Sequence, residues 1–509
     1  MTRPGWFDYD RPADHDVSVT TVEVPLRNGM HLVADLATPT SGGTPAEGPF
    51  PGLVAHYTPY GRARFRPAVE WWARHGYLTI CCDIRGSGDS PGRFPGCLSQ
   101  GENEDNYDVI EWLAAHPACS GKVGQYGVSY GGMSALRVAS LRPPHLSAIA
   151  PEESYSSYYR HTAFPGGLAA GSGRDWANGV PGFTNNTVTT EFQKLLWAVH
   201  PLIDEFWRQV DIDTKYGEIA VPVLGFGGWF DNFKEGMVEN YLGLAEHAHL
   251  VMGPWTHGSP DTMPIEPAPL GTVLAFFDHH LAGLDAPLPA ARVTSYELPR
   301  DTSRGWVELK DFPPPDASGL RLSLTADGRL ALDAGPAGER SYDVDPDDGP
   351  AAIRFPPGGP LPDDPGVDLR DSDERRLTFS SEPFPDDVVV IGIPTLHLSA
   401  ALSAPDGALI AKLMDVSPDG RVNQASVGYL RATHRLGHDR VAPLVPGEMS
   451  SFELRLEPLH WRFGAGHRLR VSLTSGDVPA IAPEAPAGTV TVGCGSGGSE
   501  LDLQVLAEP

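Results

Sequence analysis

The sequence predicts an α/β core on a largely parallel sheet, interrupted by a helical insertion and followed by an all-β domain of jelly-roll type. Three observations lead there. Between about residues 20 and 284, short apolar runs alternate with helical stretches, the habit of strands and crossover helices. An aromatic-rich segment over residues 152–218 breaks that alternation. Beyond about Pro289 the chain turns to short strands divided by Gly, Pro and Asp. These shifts divide the chain into a core of residues 1–151 and 219–288, a cap of residues 152–218 and a β domain of residues 289–509.

In order along the core, PGLVAHY (51–57), YLTICCD (77–83), VGQYGVS (123–129), LSAIAP (146–151), VPVLGFGG (221–228) and HLVMG (249–253) read as strands. Between them, residues 66–75 form a helix stopped by Gly76, and residues 104–116 form one carrying Val109, Ile110 and Leu113 at helical spacing up to Pro117. The cap follows, with Tyr155, Tyr158, Trp176, Trp197 and Trp207 among its aromatics. In the last 220 or so residues the strand candidates are RLSL, VVVIGIPTLHLSAAL, ALIAKLMDV, SFELRLEPL, HRLRVSLTS and GTVTVG, which suit two packed sheets.

A length of 509 residues and a balance of 41% hydrophobic to 20% charged residues is enough for several cores and excludes a largely disordered chain. With 38 Lys and Arg against 65 Asp and Glu, the formal charge of −27 repels phosphate backbones and anionic lipid alike. No nucleic-acid or membrane partner is expected. Cys81, Cys82, Cys97, Cys119 and Cys494 contain no CxxC pair and read as reduced thiols. Together with a polar, acidic N-terminus and no apolar run of about 18 residues, they predict a cytoplasmic protein.

The pattern G-x-S-x-G is the nucleophile elbow of α/β hydrolases, where a strand turns sharply into a helix and lifts a serine hydroxyl clear of the sheet. A chain of this composition should contain about 0.4 matches by chance, and this one contains two, centred on Ser90 and Ser129. Chemistry separates them. The residue after the nucleophile must donate its backbone N–H to the oxyanion, and Pro91 has none to donate. Ser90 is therefore read as a loop serine. Ser129 follows a buried-strand pattern and precedes Tyr130 and a helix, with Gly127, Gly131 and Gly132 letting the backbones crowd.

A serine hydroxyl near neutral pH needs an imidazole to take its proton and a carboxylate to orient that imidazole. In this fold the order is Ser, acid, His, each after a strand's C-terminal end. Asp231 in GGWFDNF and His257 in GPWTHG meet that demand, 102 and then 26 residues further along the chain.

These residues resemble the CocE/NonD hydrolases, the family of cocaine esterase, α-amino-acid ester hydrolases and X-prolyl dipeptidyl aminopeptidases. VEVPLRNGMHLVADL, TPYGR, DIRGSGDSPG, GVSYGG, DEFWR, GWFDNF, GPWTHG, AKLMDVSPDG and FGAGHRLRVSLTSGD look like its landmarks in the right order, from about Thr21 to about Pro479. The resemblance implies an α/β-hydrolase core, an inserted helical cap, a C-terminal jelly roll, and Ser129, Asp231 and His257 as the triad. It also implies that the Tyr60 phenol completes the oxyanion hole with the Tyr130 N–H.

One departure concerns substrate. Where amino-ester hydrolases carry acidic residues two and three positions after the acid, to hold the substrate ammonium, this chain has Phe233 and Lys234. Phe233 resembles the acyl-pocket phenylalanine of the cocaine esterase branch of the family, Lys234 is either an attractor for an acidic acyl group or a solvated first-turn residue, and Trp176 is a candidate pocket wall. The expected activity is hydrolysis of small-molecule carboxylic esters or amides without a cofactor. Acyl transfer, peptidase chemistry with the same triad, and a non-catalytic ligand-binding protein are the rivals. No metal site is expected: Asp343, Asp345 and Asp347 open like a calcium loop, but Asp348 and Arg354 stand where its Gly and Glu are needed.

Overall fold

The computed structural model describes residues 4–94, 99–171, 195, 197–244, 246–257, 270–349, 367–483 and 486–506. Its main sheet holds β1 (Asp16–Pro25), β2 (His31–Ser41), β3 (Thr44–Pro45), β4 (Phe50–Thr58), β5 (Leu78–Asp83), β6 (Cys119–Val128), β7 (Leu146–Glu152), β8 (Val223–Gly228), β9 (Ala248–Gly253), β10 (Val293–Tyr296) and β11 (Trp306–Leu309). The strand order is β1-β2-β5-β4-β6-β7-β8-β9-β10-β11, with β3 on the flank of β2. From β5 through β10 all pairings are parallel. Such strands are covered on both faces, which is why LTICCD and VLGFGG are apolar or small apart from the terminal Asp83, with every residue buried. Adjacent Cys81 and Cys82 accordingly point into two different core clusters.

Helices α1 (Arg66–Arg74), α2 (Gln100–Ala114), α3 (Tyr130–Ala139), α4 (Glu205–Val210), α5 (Lys234–Gly243) and α6 (Leu270–Phe277) complete this half. Helix α2 starts four residues before the pattern predicts, because the Ser99 hydroxyl accepts the Glu102 N–H and caps the first turn. Among the described residues, the insertion between β7 and β8 contains α4 and the single-turn pieces Tyr159–Ala163, Pro165–Gly167 and Tyr216–Glu218. Tyr155, Tyr158, Tyr159 and Trp207 form its buried aromatic core, the Tyr158 and Trp207 rings stacking at 6.1 Å.

Both sheet edges depart from the sequence reading. The boundary drawn at residue 288 falls inside the sheet, because β10 pairs parallel with β9 and antiparallel with β11. Trp306 anchors that edge against Phe7 and Trp255. Four-residue strands among Gly and Pro look locally like the start of the β domain; only their pairing partners assign them to the core. At the other edge, the strand pattern read from the sequence begins at residue 51, yet β1 and β2 form a long antiparallel hairpin before it. Strand β1 is half exposed, so its apolar signal is weak.

The β domain has a nine-stranded sheet and a four-stranded sheet, the latter built from Leu377–Ser380, Arg468–Thr474, Ala408–Val416 and Val422–Arg431 in that order. The run VVVIGIPTLHLSAAL is two strands, Val388–Gly392 and Thr395–Leu402, broken at Pro394, which has no N–H for a ladder. Leu396, Leu398, Leu413 and Val471 of this domain share one apolar cluster with Val54 and Ile80 of the hydrolase sheet. Buried Arg462 forks onto Glu297 at 2.7 and 2.8 Å, tying the two halves beside β10. Among the described residues no helix is long and apolar enough to cross a membrane.

Candidate active site

Ser129 sits between the last residue of β6 and the first of α3 with φ 57° and ψ −116°, a strained conformation for a residue with a side chain. Two glycines make that turn possible. A Cβ on Gly127 would lie 2.5 Å from the Gly131 carbonyl carbon, and one on Gly132 would lie 2.4 Å from Ser154 Oγ. The Ser129 N–H donates to the Glu152 carbonyl at 2.9 Å, locking the elbow to the end of β7.

Asp231 follows β8 in a tight turn, is fully buried, and accepts the Phe233 N–H on Oδ1 at 3.2 Å. His257 lies just beyond β9. Its Nδ1 is 3.1 Å from Asp231 Oδ1, and its Nε2 is 2.9 Å from Ser129 Oγ. With a carboxylate at Nδ1, the neutral ring carries its proton there and leaves Nε2 to accept the serine hydroxyl. The three residues singled out by order and spacing are brought together in hydrogen-bonding sequence.

Tyr130 is the first residue of α3, and its phenol donates to the Glu102 carboxylate at 2.8 Å, which fixes the start of the helix. Tyr60, two residues past β4, presents its ring edge-on to Tyr130 with centroids 6.1 Å apart. The loop carrying Tyr60 is pinned from below: the Arg62 backbone N–H donates to Asp83 at 2.6 Å, and its guanidinium bridges Asp83 and Asp35. Sequence reasoning missed this clamp, although Arg62, Asp83 and Asp35 lie inside TPYGR, DIRGSGD and VEVPLRNGMHLVADL.

The three pocket candidates fare differently. The Phe233 ring meets His257 edge-on at 5.3 Å and is buried. Lys234 is not a solvated surface residue: it is 8% exposed, and its Nζ lies 3.0 Å from Glu457 of the β domain. A solvated first turn was a reasonable expectation from local sequence, but the partner comes from 223 residues away and covers the helix start. Trp176 lies outside the described residues.

Ser90 differs from Ser129 in every respect. Its hydroxyl donates to the Asp83 carbonyl at 2.6 Å and accepts the Val33 N–H at 2.8 Å, stitching its loop to β2 and β5.

A second polar cluster lies beside the site, where core, insertion and β domain meet around a cavity of about 180 Å³ lined by Asn232, His161, Glu235, Arg160 and Arg455. The ligand atoms of His161, Glu235 and Glu239 lie within 4.8 Å of one another. The donor set does not suit a cation, because Arg160 forks onto Glu239 at 2.8 and 3.0 Å and Arg455 reaches it at 3.1 Å. Burial pushes the Glu239 carboxyl up, but His161 and the two arginines outweigh it and hold it at about 2.

A strained serine elbow on a parallel sheet, with His and Asp delivered from the next strand ends, defines a serine hydrolase of the α/β-hydrolase fold. Comparison with known proteins agrees. Residues 28–259 match the sequence model of the X-Pro dipeptidyl-peptidase (S15) family, and residues 290–496 match its X-Pro dipeptidyl-peptidase C-terminal non-catalytic domain. Cocaine esterase of Rhodococcus sp. (strain MB1 Bresler) is 28% identical, the match covering 92% of each chain. Among solved structures, an aminopeptidase from a marine sediment Thaumarchaeota archaeon superimposes with a TM-score of 0.80 at 22% identity, over 100% of this chain and 99% of that one. A CocE/NonD family hydrolase from Staphylococcus aureus gives a TM-score of 0.79 at 21% identity, over 98% of both chains. The chain belongs to the CocE/NonD hydrolase family.

Proposed function

We propose that this protein hydrolyses small-molecule carboxylic esters through an acyl-enzyme on Ser129. The observation that carries the reading is the unbroken relay from Ser129 Oγ to His257 Nε2 at 2.9 Å and from His257 Nδ1 to Asp231 Oδ1 at 3.1 Å, mounted on a strained elbow. As Oγ attacks the acyl carbon, His257 takes its proton while Asp231 orients the ring and stabilises the imidazolium. The Tyr130 backbone N–H, at the first position of its helix, and the Tyr60 phenol donate to the oxyanion. His257 then protonates the leaving alkoxide, and water attacks the acyl-enzyme by the reverse route. No step calls for a cofactor.

The acyl pocket we infer is apolar. Phe233 walls the imidazole, and Lys234, engaged by Glu457, does not offer its charge to a substrate. Uncharged acyl groups are therefore favoured over acidic ones. Amide cleavage by the same triad is the second reading, supported by the match to the S15 peptidase family. The four described cysteines are free thiols, which supports a cytoplasmic site of action. We further divide the chain into a hydrolase core that includes β10 and β11, a cap of residues 152–218 and the β domain beyond.

The test is a fluorophosphonate probe read by peptide mass spectrometry, paired with p-nitrophenyl esters of graded acyl length and the matching p-nitroanilides. Labelling of Ser129 with ester turnover is expected. Labelling elsewhere would remove the mechanism, and anilide turnover exceeding ester turnover would promote the peptidase reading.

A further inference from the structure

The triad leaves one buried acid beside His257 without a part in the chemistry. Glu153 Oε2 lies 3.4 Å from His257 Nδ1, the same nitrogen that Asp231 addresses at 3.1 Å. We infer that Glu153 is a second positioning acid, which shares the Nδ1 proton of His257 with Asp231. The inference rests on the hydrolytic reading above and adds a residue to it.

Glu153 holds φ 49°, in the left-handed region that a residue with a side chain seldom adopts. Its N–H donates to the Phe226 carbonyl of β8 at 2.8 Å, so the unusual backbone is held by the neighbouring strand. The residue before it, Glu152, accepts the Ser129 N–H. One strand end therefore fixes both the nucleophile's backbone and this carboxylate. Glu153 is 1% exposed, Asp231 is fully buried, and their oxygens lie with His257 in a cluster spanning at most 4.8 Å. Two buried carboxylates this close repel unless a cation lies between them. The imidazolium formed during acylation is that cation.

The step balances without a new reactant. Ser129 Oγ bonds to the acyl carbon, its proton passes to Nε2, and the Nδ1 proton stays on the ring between the two carboxylates. When the tetrahedral intermediate collapses, the bond between the acyl carbon and the leaving oxygen breaks and Nε2 gives that oxygen the proton it took from Ser129. Because the two acids arrive from the ends of β7 and β8, either can keep the ring in its reactive tautomer when the other is lost.

The experiment uses the full chain, with p-nitrophenyl ester turnover and the rate of fluorophosphonate labelling at Ser129 as readouts. A triad that loses its sole acid falls by about 10⁴ in kcat. Here Asp231→Asn should fall by only about 10², Glu153→Gln by about 3- to 10-fold, and the double variant by about 10⁴, more than the product of the single losses. If Asp231→Asn alone reaches the full loss and Glu153→Gln adds nothing to it, or if the two losses simply multiply, the shared role is overturned.

A second readout separates positioning from structure. Asp231 and Glu153 are the acids facing His257 in this cluster, so Glu153→Gln removes one of two negative charges from the imidazolium. The acid limb of kcat/KM should then move to lower pH, with Glu153→Asp intermediate. A limb that stays in place overturns the proposal even if the rate drops. Failure of the hydrolytic reading itself would look different: the wild-type chain would not label at Ser129.

Discussion

Two five-residue segments of this chain share the pattern G-x-S-x-G, and the structure uses them for opposite purposes. Around Ser129 the backbone is strained, the hydroxyl is turned toward an imidazole, and the following residue, Tyr130, opens a helix with a backbone N–H that Pro91 lacks. Around Ser90 the hydroxyl makes two hydrogen bonds to backbone and is buried, and the following residue is Pro91. Glycine serves each differently: Gly127 and Gly132 let the α3 backbone approach the sheet, whereas Gly88 at φ 51° gives way to the Asp83 carboxylate. A hydroxyl satisfied by backbone is inert, and reactivity requires that the fold leave one pointing at a base.

The most direct way to break that contrast is Ser129→Ala, which should lower kcat by about 10⁶ with an unchanged folded spectrum; residual turnover within tenfold of wild type would place the nucleophile elsewhere. Next, Tyr60→Phe should lower kcat by about 10² or more with little change in KM, if its phenol serves the oxyanion. Steady-state kinetics on a single ester decide it.

A third test concerns the charged cluster beside the site. Glu239 has a carboxyl held below its ordinary value, at about 2 in place of 4.5. Its contribution to stability is therefore present above pH 4.5 and lost as pH falls toward 2, of order 3 kcal/mol at most. Glu239→Gln should flatten the fall in Tm across that window; an identical acid profile would deny the cluster its role. The smallest effect is expected at the inert elbow. Ser90→Ala should cost about 1–3 kcal/mol of stability in denaturant titrations through the unmet Val33 N–H, and leave kcat/KM and Ser129 labelling as they were.

Much of the core was legible because its signals are local. Apolar runs of five to eight residues located β4 through β9, and the order of Ser129, Asp231 and His257 after three of those strands located the relay. Where a signal depends on a distant partner, local reading fails. Strands β10 and β11 look like β-domain strands until β9 is beside them. Lys234 looks solvated until Glu457 arrives from the β domain. Glu153 looks like a charged residue at a strand end, and nothing in APEES announces that its backbone will turn the carboxylate inward.

What the sequence determined by itself is the fold class, together with Ser129, Asp231 and His257 as the candidate nucleophile, acid and base, because periodicity and chain order point to both. The tertiary structure alone decided that a second carboxylate meets the imidazole, that the lysine beside the acid is a tie between domains, and that Ser90 is a stitch between strands. Each of those outcomes is set by distances between residues far apart in the chain, and electrostatics and hydrogen bonding act over ångströms of space, whatever the separation in sequence.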